Sequence, residues 1–385
     1  MLDRLTLIGA LIIVAFISVL LLPSQSAASY STYLLLVVVL ATFQYWNDIK
    51  SVTLFKWILV LVIWLTASSL WSEPFEWREF GSILVRALLV LAFVVALAEC
   101  QFRGQLHNWM STAFAIVGSA VITASITNFY LEQPADGRLN GLGQLDTHVV
   151  AALVYGSLLL FAVNVLFTDA HRALVGLCIC SILVTIPTIY LSDSRNAWFS
   201  VPISCFVLCL LHLVDRQRFL ICLAATVVIG VSILCVVLLN PELEKLVLPR
   251  GDSFRLAIWQ AALSNIATSP WVGLGILSPD DLLIDQVIYA HPHNMYLSII
   301  HQGGLVALGL YLIVLVQSVK VLLRNLGSPD AKLALSILAL ALLAHLFDEH
   351  ELIDKIGSTW FLIWIPLSTA VGLAWREQPK KEGMP

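Results

Sequence analysis

Charge is what this sequence has least of. Of its 385 residues only 12% are Asp, Glu, Lys or Arg, about half the ~25% of an ordinary soluble domain. Hydrophobic residues make up 59%, and the mean hydropathy is +0.90. A soluble fold needs interspersed charge over its surface. A soluble enzyme, a disordered chain and a nucleic-acid binder are therefore excluded. Strand-like alternation is missing too. A membrane barrel alternates apolar and polar residues, whereas these runs are apolar throughout. In lipid every backbone polar group must be paired internally, which leaves an all-α, polytopic integral membrane protein.

A cysteine framework is also absent. Cys100, Cys178, Cys180, Cys205, Cys209, Cys222 and Cys235 all fall inside apolar runs. They read as small helix-packing residues, and the Cys178/Cys180 spacing is not that of a zinc site. No cofactor and no metal is expected.

What is present is one apolar run after another. A helix crosses a bilayer with about 20 apolar residues. Twelve spans are expected: 5–22, 31–46, 55–71, 82–100, 109–127, 147–167, 174–191, 197–214, 218–239, 303–324, 331–348 and 358–376. The first is expected to be a retained helix, although Ser26-Ala27-Ala28 is a weak cleavage-like stretch. Two loops are long, 128–146 and 240–302. The chain then divides into spans one to nine (1–239), a large loop (240–302), and spans ten to twelve with a short tail (303–385).

Lysine and arginine mark the cytoplasmic side. With the N-terminus inside, thirteen of the 21 cations fall inside and eight outside. Both termini are therefore expected in the cytoplasm and both long loops outside. The outside cations sit where the rule disfavours them. Arg138 lies in Gly137-Arg138-Leu139-Asn140-Gly141, Arg195 in Ser192-Asp193-Ser194-Arg195-Asn196, and Arg250 and Arg255 flank Gly251-Asp252-Ser253. Arginine gives bidentate, permanently charged contacts to phosphate, so the set suits a lipid-linked phosphate or diphosphate. The plainer alternative pairs each arginine with Asp136, Asp193 or Asp252 as a structural clamp.

In the large loop, Ser253 is expected to cap a helix over Phe254–Ala267, with Arg255 and Trp259 on one face. Pro292 keeps His291 extended, and Asn294 is placed to cap a helix starting near Met295. His293 then stands at that helix start, at the membrane surface, a good position for a general base. His291 and His293 as zinc ligands lack a third partner. His107, His171 and His212 read as interface residues, His301 as a packed polar residue, and His148 stays open. His345, Asp348, Glu349 and His350 are expected to cap the bundle, with a lining of the same cavity as the alternative. Trp71 and Trp77 read as an interfacial belt, and Glu99 as a helix-end carboxylate reaching water.

Together these features resemble the O-antigen ligase/polymerase superfamily. The residues that carry the resemblance are Trp64–Pro74, 137–143, Ser194-Arg195, the Arg255-x-x-x-Trp259 helix, and His293-Asn294 followed after nine residues by Gly304. Ala307 and Phe199 depart from the family pattern, which favours Gly, Thr or Tyr and Leu there. The resemblance implies a GT-C-like fold and a metal-independent, inverting glycosyltransferase working at the periplasmic face of the bacterial inner membrane. It implies a glycan donor on undecaprenyl diphosphate, held by Arg195 and Arg255 with Arg138 and Arg250 in support. His293 would be the base, and His291, Asn294 and Trp259 would help bind substrate. The lipid A–core oligosaccharide is the expected acceptor, as in a ligase, because the chain is compact with a single dominant late loop; its end nine residues after the last span speaks against a protein acceptor. A polymerase using a second lipid-linked repeat is the alternative. A twelve-helix transporter or flippase is the alternative from another class. Its 6+6 repeat is not seen, because the long loop follows span nine.

Overall fold

The computed structural model describes residues 4–104, 106–168, 170–215, 217–219, 254–284, 286–348 and 351–378. It is an all-α bundle. The long helices are α1 (Arg4–Leu21), α2 (Gln25–Thr42), α3 (Thr53–Ser68), α4 (Trp77–Phe102), α5 (Leu106–Glu132), α6 (His148–Val165), α7 (Arg172–Leu191) and α8 (Arg195–Leu213). The loop helix α9 (Arg255–Ile266) follows. Then come a small hairpin of β1 (Leu282–Ile284) and β2 (Val287–Tyr289), α10 (Met295–Arg324), α11 (Pro329–Ala344), a π-helical turn (Trp360–Trp364) and α12 (Ile365–Arg376). Eight helices among the described residues are long and apolar enough to cross a membrane.

Eleven of the expected spans fall on these helices. The ninth, 218–239, lies almost wholly outside the described residues. The second was expected at 31–46 but runs Gln25–Thr42. Ser24 opens it by accepting the Ala27 N–H, and extended backbone at Phe43 closes it. The helix in the large loop has Phe254 at its N-cap, in the left-handed region (φ 62°), with no side-chain cap. The expected cap Ser253 lies outside the described residues, as does Arg250. The hairpin, in antiparallel register Leu283 to Ile288, was not foreseen in what read as an acidic loop.

Lipid tails are as apolar as leucine, so helices associate in a bilayer through close packing. The interior shows this. Phe16 of α1 meets Phe93 of α4 and Phe114 of α5 edge-on, at 5.7 and 5.5 Å. Trp360, Trp364 and Phe361 are fully buried in the π-helical turn. Buried indoles need a hydrogen-bond acceptor: Trp360 donates to Asp354 O (3.2 Å) and Trp364 to Leu352 O (3.1 Å).

The two ends of the bundle differ. At one end Arg4 forms a two-pronged ion pair with Glu99 at 2.6 and 2.8 Å and donates to Thr42. Glu99 is only 1% exposed, so it does not reach water as expected; the guanidinium replaces solvent as its partner. The other end gathers the loop 137–145, the start of α8, α9, the start of α10 and the end of α11.

α10 breaks at Gly304, where φ is 70° and ψ −172°. The segment 270–275 fills the break. Leu274 and Gly275 donate to His301 O and Gln302 O, and Leu305 donates to Pro270 O. A Cβ on Gly304 would lie 2.0 Å from Trp271 O. That close approach is the physical content of the glycine that follows His293-Asn294 after nine intervening residues. α3 grips the same junction. Trp64 donates to Gly303 O at 2.8 Å, and the Ser68 and Ser72 hydroxyls accept from Ile276 and Leu277 N–H, each at 3.0 Å.

Candidate active site

The site is built around the C-terminal end of α11. The last four carbonyls of a helix have no intrahelical partner. Here the motif residues supply partners just where the chain leaves the helix. Ala344 O accepts the Asn196 amide (2.9 Å), and His345 O accepts the Met295 N–H (3.0 Å). Leu346 O accepts the Asn294 amide (3.1 Å), and Phe347 O accepts the Arg255 guanidinium. One helix end thus fixes the starts of α8, α9 and α10 relative to one another.

Asn294 works in two directions. Its Oδ1 accepts from Tyr296 N–H (3.0 Å) and Leu297 N–H (3.1 Å), capping α10 as expected, while its amide holds Leu346. Trp259, on the same face of α9 as Arg255, donates from its indole to Pro292 O at 3.1 Å. It thereby pins the His291-Pro292-His293 segment, and it stacks near Phe347 at 6.3 Å. Arg255 lies over the Phe347 ring, 5.6 Å from its centroid. The His291 ring packs at 4.1 Å from that of His293, and its Nδ1 accepts the His293 N–H at 3.2 Å.

His293 has left-handed backbone (φ 49°), a conformation uncommon for a residue that is not glycine and one that collects at functional sites. Its Nδ1 faces Asp348 Oδ1 at 3.4 Å. The ring is 37% exposed and the carboxylate 17%. A carboxylate on Nδ1 favours the tautomer with its proton there, which leaves Nε2 as the proton acceptor. Asp348 was expected to cap the bundle; it instead joins His293, the alternative of a shared cavity. His345 carries no such role: it is fully buried, and its carbonyl meets Met295. Glu349 and His350 lie outside the described residues.

The arginines divide. Arg195, the first residue of α8, follows the N-cap Ser194, whose hydroxyl accepts the Ala197 N–H at 3.4 Å. Arg255 senses Arg195 and Asp348 together: burial lowers its pKa, Arg195 adds to the fall, and Asp348 opposes it. These three side chains and His293 therefore share one electrostatic neighbourhood. Arg138 is engaged otherwise, with Asp193 at 3.4 Å and His148 Nε2 at 3.4 Å, which is the clamp alternative. Arg250 is outside the described residues. Asp280, on the hairpin side, lies within electrostatic reach of His293; burial pushes its carboxyl up to about 6.

Sequence reasoning missed Asp348 as the partner of His293, Asn196 as a tie to α11, and Ser68 and Ser72 as acceptors for the 276–277 turn. The last had a visible signal: Trp64, Ser68 and Ser72 are spaced i, i+4, i+8, one helix face. Asp348 had none, because 55 residues separate it from His293.

Comparison with known proteins places the chain beside one family. Residues 180–312 match the family model described as O-antigen ligase. Arg195, Arg255, His293, Asn294 and Gly304 fall within the match; Asp348 and Arg138 do not. A protein of Pseudomonas aeruginosa PAO1 named O-antigen ligase is 28% identical over 331 residues, covering 84% of this chain and 78% of the relative. The resemblance carried by the motifs is thus shown. The findings support a glycosyltransferase-type enzyme of ligase or polymerase kind in lipopolysaccharide biosynthesis.

Proposed function

Starting from that kinship, we propose that the chain transfers a glycan from undecaprenyl diphosphate to a sugar hydroxyl of the lipid A–core oligosaccharide, with inversion and without a metal. In this reading the α8–α11 end of the bundle faces the periplasm, both termini are cytoplasmic and the bilayer is the bacterial inner membrane. The observation that carries it is the junction at the end of α11. There a histidine backed by a carboxylate lies in one electrostatic neighbourhood with two arginines on separate helices.

His293 Nε2 takes the proton from the acceptor hydroxyl as its oxygen attacks the anomeric carbon. The bond from that carbon to the diphosphate oxygen breaks, and undecaprenyl diphosphate leaves with the electron pair. Negative charge grows on the leaving oxygen. Arg255 and Arg195 stabilise it as fixed cations, which need no reorganisation at that moment. Diphosphate leaves readily, so no general acid is required. Asp348 holds the imidazole and stabilises the imidazolium that forms, the role of a carboxylate behind a catalytic histidine.

The test is a transfer assay with purified protein in nanodiscs, undecaprenyl-diphosphate-linked glycan, rough lipopolysaccharide and EDTA. Glycan-capped lipopolysaccharide that disappears in His293→Ala and Arg255→Ala is the expected result. Longer lipid-linked glycan, formed without lipopolysaccharide, makes the enzyme a polymerase. Activity lost on EDTA and restored by a divalent ion overturns the metal-free reading. No transfer to either acceptor by folded protein overturns glycan transfer.

A further inference from the structure

Residues 256–279 carry no Asp, Glu, Lys, Arg or His. A water-facing stretch of that length would hold about six charges, at the ~25% of a soluble domain. Yet much of it lies on the surface. On α9, Ile258, Ala262 and Ile266 face inward. Leu256 and Leu263, seven residues apart, share the opposite side and are 66% and 52% exposed, with Gln260 between them. Just past the helix Trp271 is 68% exposed, and Val272 is exposed beside it.

The depth of this face follows from the helices it is tied to. Past the break at Gly304, α10 runs through residues 305–324. At 1.5 Å per residue that is about 30 Å, the thickness of the hydrocarbon core. Leu305 and Val306 therefore stand at one edge of that core, and both are exposed on the outside of the bundle. Their N–H groups donate to Pro270 O (2.8 Å) and Trp271 O (3.2 Å), which sets the end of the α9 segment at this edge. The start of α9 reaches the same edge by another route. α11 and its closing turn run back through residues 329–347, about the same length, and Phe347 O accepts the Arg255 guanidinium. With both ends fixed at the edge, α9 lies along the membrane surface and does not rise from it. An apolar face in that plane gains by entering the boundary between headgroups and acyl chains. The opposite face needs no charge, because protein covers it. Trp271 suits the same depth, since indoles collect at that boundary.

We propose that the Leu256–Leu263 face of α9, together with Trp271 and Val272, is immersed in the lipid leaflet at the site's end of the bundle. The partner is the acyl-chain boundary of the bilayer itself. Through Leu305 and Val306 this surface continues the lipid-facing side of α10. Immersion has a consequence for the site: it holds Arg255, the first residue of α9, at the depth where lipid phosphates lie. The immersion does not depend on the glycan-transfer reading and is tested without substrate.

The full chain is placed in phosphatidylcholine nanodiscs, with an environment-sensitive fluorescent amino acid in place of Leu263 or Trp271. Two reference labels replace Val316, exposed on the lipid-crossing part of α10, and Ala135, exposed in the loop before α6. Quenching is measured with lipids brominated high on their acyl chains and with aqueous iodide. At positions 263 and 271 we expect blue-shifted emission, loss of intensity in brominated lipid as at 316, and weaker iodide quenching than at 135. Iodide quenching equal to that at 135, with no effect of bromine, puts the face in water and overturns the proposal. Shielding from both quenchers means that protein, a second copy included, covers the face, and also overturns it. Should a label disturb the fold, the unlabelled chain decides. It is irradiated in nanodiscs containing a lipid with a photoreactive group high on its acyl chain, and the adducts are mapped by mass spectrometry. Adducts within 256–272 as well as on α10 support immersion; adducts on α10 alone overturn it.

Discussion

The Nδ1 of His293 and the Oδ1 of Asp348 stand 3.4 Å apart, across the meeting of the start of α10 and the end of α11. The distance is long for a hydrogen bond, as expected of a catalytic pair before substrate tightens it. Asp348→Asn keeps the shape and removes the charge that stabilises the imidazolium. We expect kcat to fall by about 10²-fold with KM little changed, since the loss is felt mainly in the transition state. Steady-state transfer kinetics check this. A change confined to KM would make Asp348 a binding residue instead.

The arginines are expected to separate in the same assay. Arg255→Ala removes a cation aimed at the leaving group, and a loss of about 10²- to 10³-fold in kcat follows. Arg255→Lys should recover only a small part, because an ammonium cannot reproduce the planar fork that reaches Phe347 O and a phosphate together. Arg138→Ala should cost far less, because Arg138 is already engaged by Asp193 and His148. Equal losses for Arg138 and Arg255 would mean that Arg138 leaves its clamp when substrate binds.

Gly304 is the backbone counterpart. Its positive φ costs another residue about 1–3 kcal/mol, and an added Cβ would overlap Trp271 O. Gly304→Ala should lower the melting temperature markedly and push the 270–275 segment out of the break in α10. Gly309→Ala, five residues on in the same helix, meets nothing within 4 Å and should melt like wild type. Thermal scans of the two variants in one detergent make the comparison.

The helices were legible because lipid leaves little choice: a run of about 20 apolar residues must satisfy its backbone internally. The His293-Asn294 start was legible for a local reason, since Asn294 caps through N–H groups two and three residues on. The partnership of His293 with Asp348 was hidden, because it depends on where α11 ends and no local rule links the two. Glu99 misled for a related reason. A lone acid at a helix end reads as reaching for water until Arg4, 95 residues earlier, is placed against it. Arg138 shows the limit of reading charge by side: the outside placement was noted for all the loop arginines, but only packing tells a clamp from a binding group.

Asp280 gives a pH dependence with a definite sign. Burial raises its pKa from 3.8 to about 6; Asp281 adds to the rise and His293 opposes it. The unfolded chain thus loses this proton before the folded one does. As pH climbs from about 4 to about 6, the unfolded state binds fewer protons and stability falls, then levels off. Asp280→Asn cannot ionise. It should match wild type below about pH 4 and melt higher above about pH 6. Melting curves for both proteins across this range test it, and parallel curves would show that Asp280 is solvated in the folded protein.

At the other end of the bundle the Arg4–Glu99 pair offers a test by double substitution. Glu99 is buried and Arg4 is about a quarter exposed, so the two single changes are unequal. Arg4→Met strands a carboxylate among apolar neighbours, and losing one partner of a buried pair costs about 3–5 kcal/mol. Glu99→Gln leaves Arg4 closer to solvent and should cost less. The double variant Arg4→Met with Glu99→Gln has no charge left to strand and should recover most of the loss. If it is instead as unstable as the sum of the singles, the two side chains act independently and the ion pair does not tie α1 to α4.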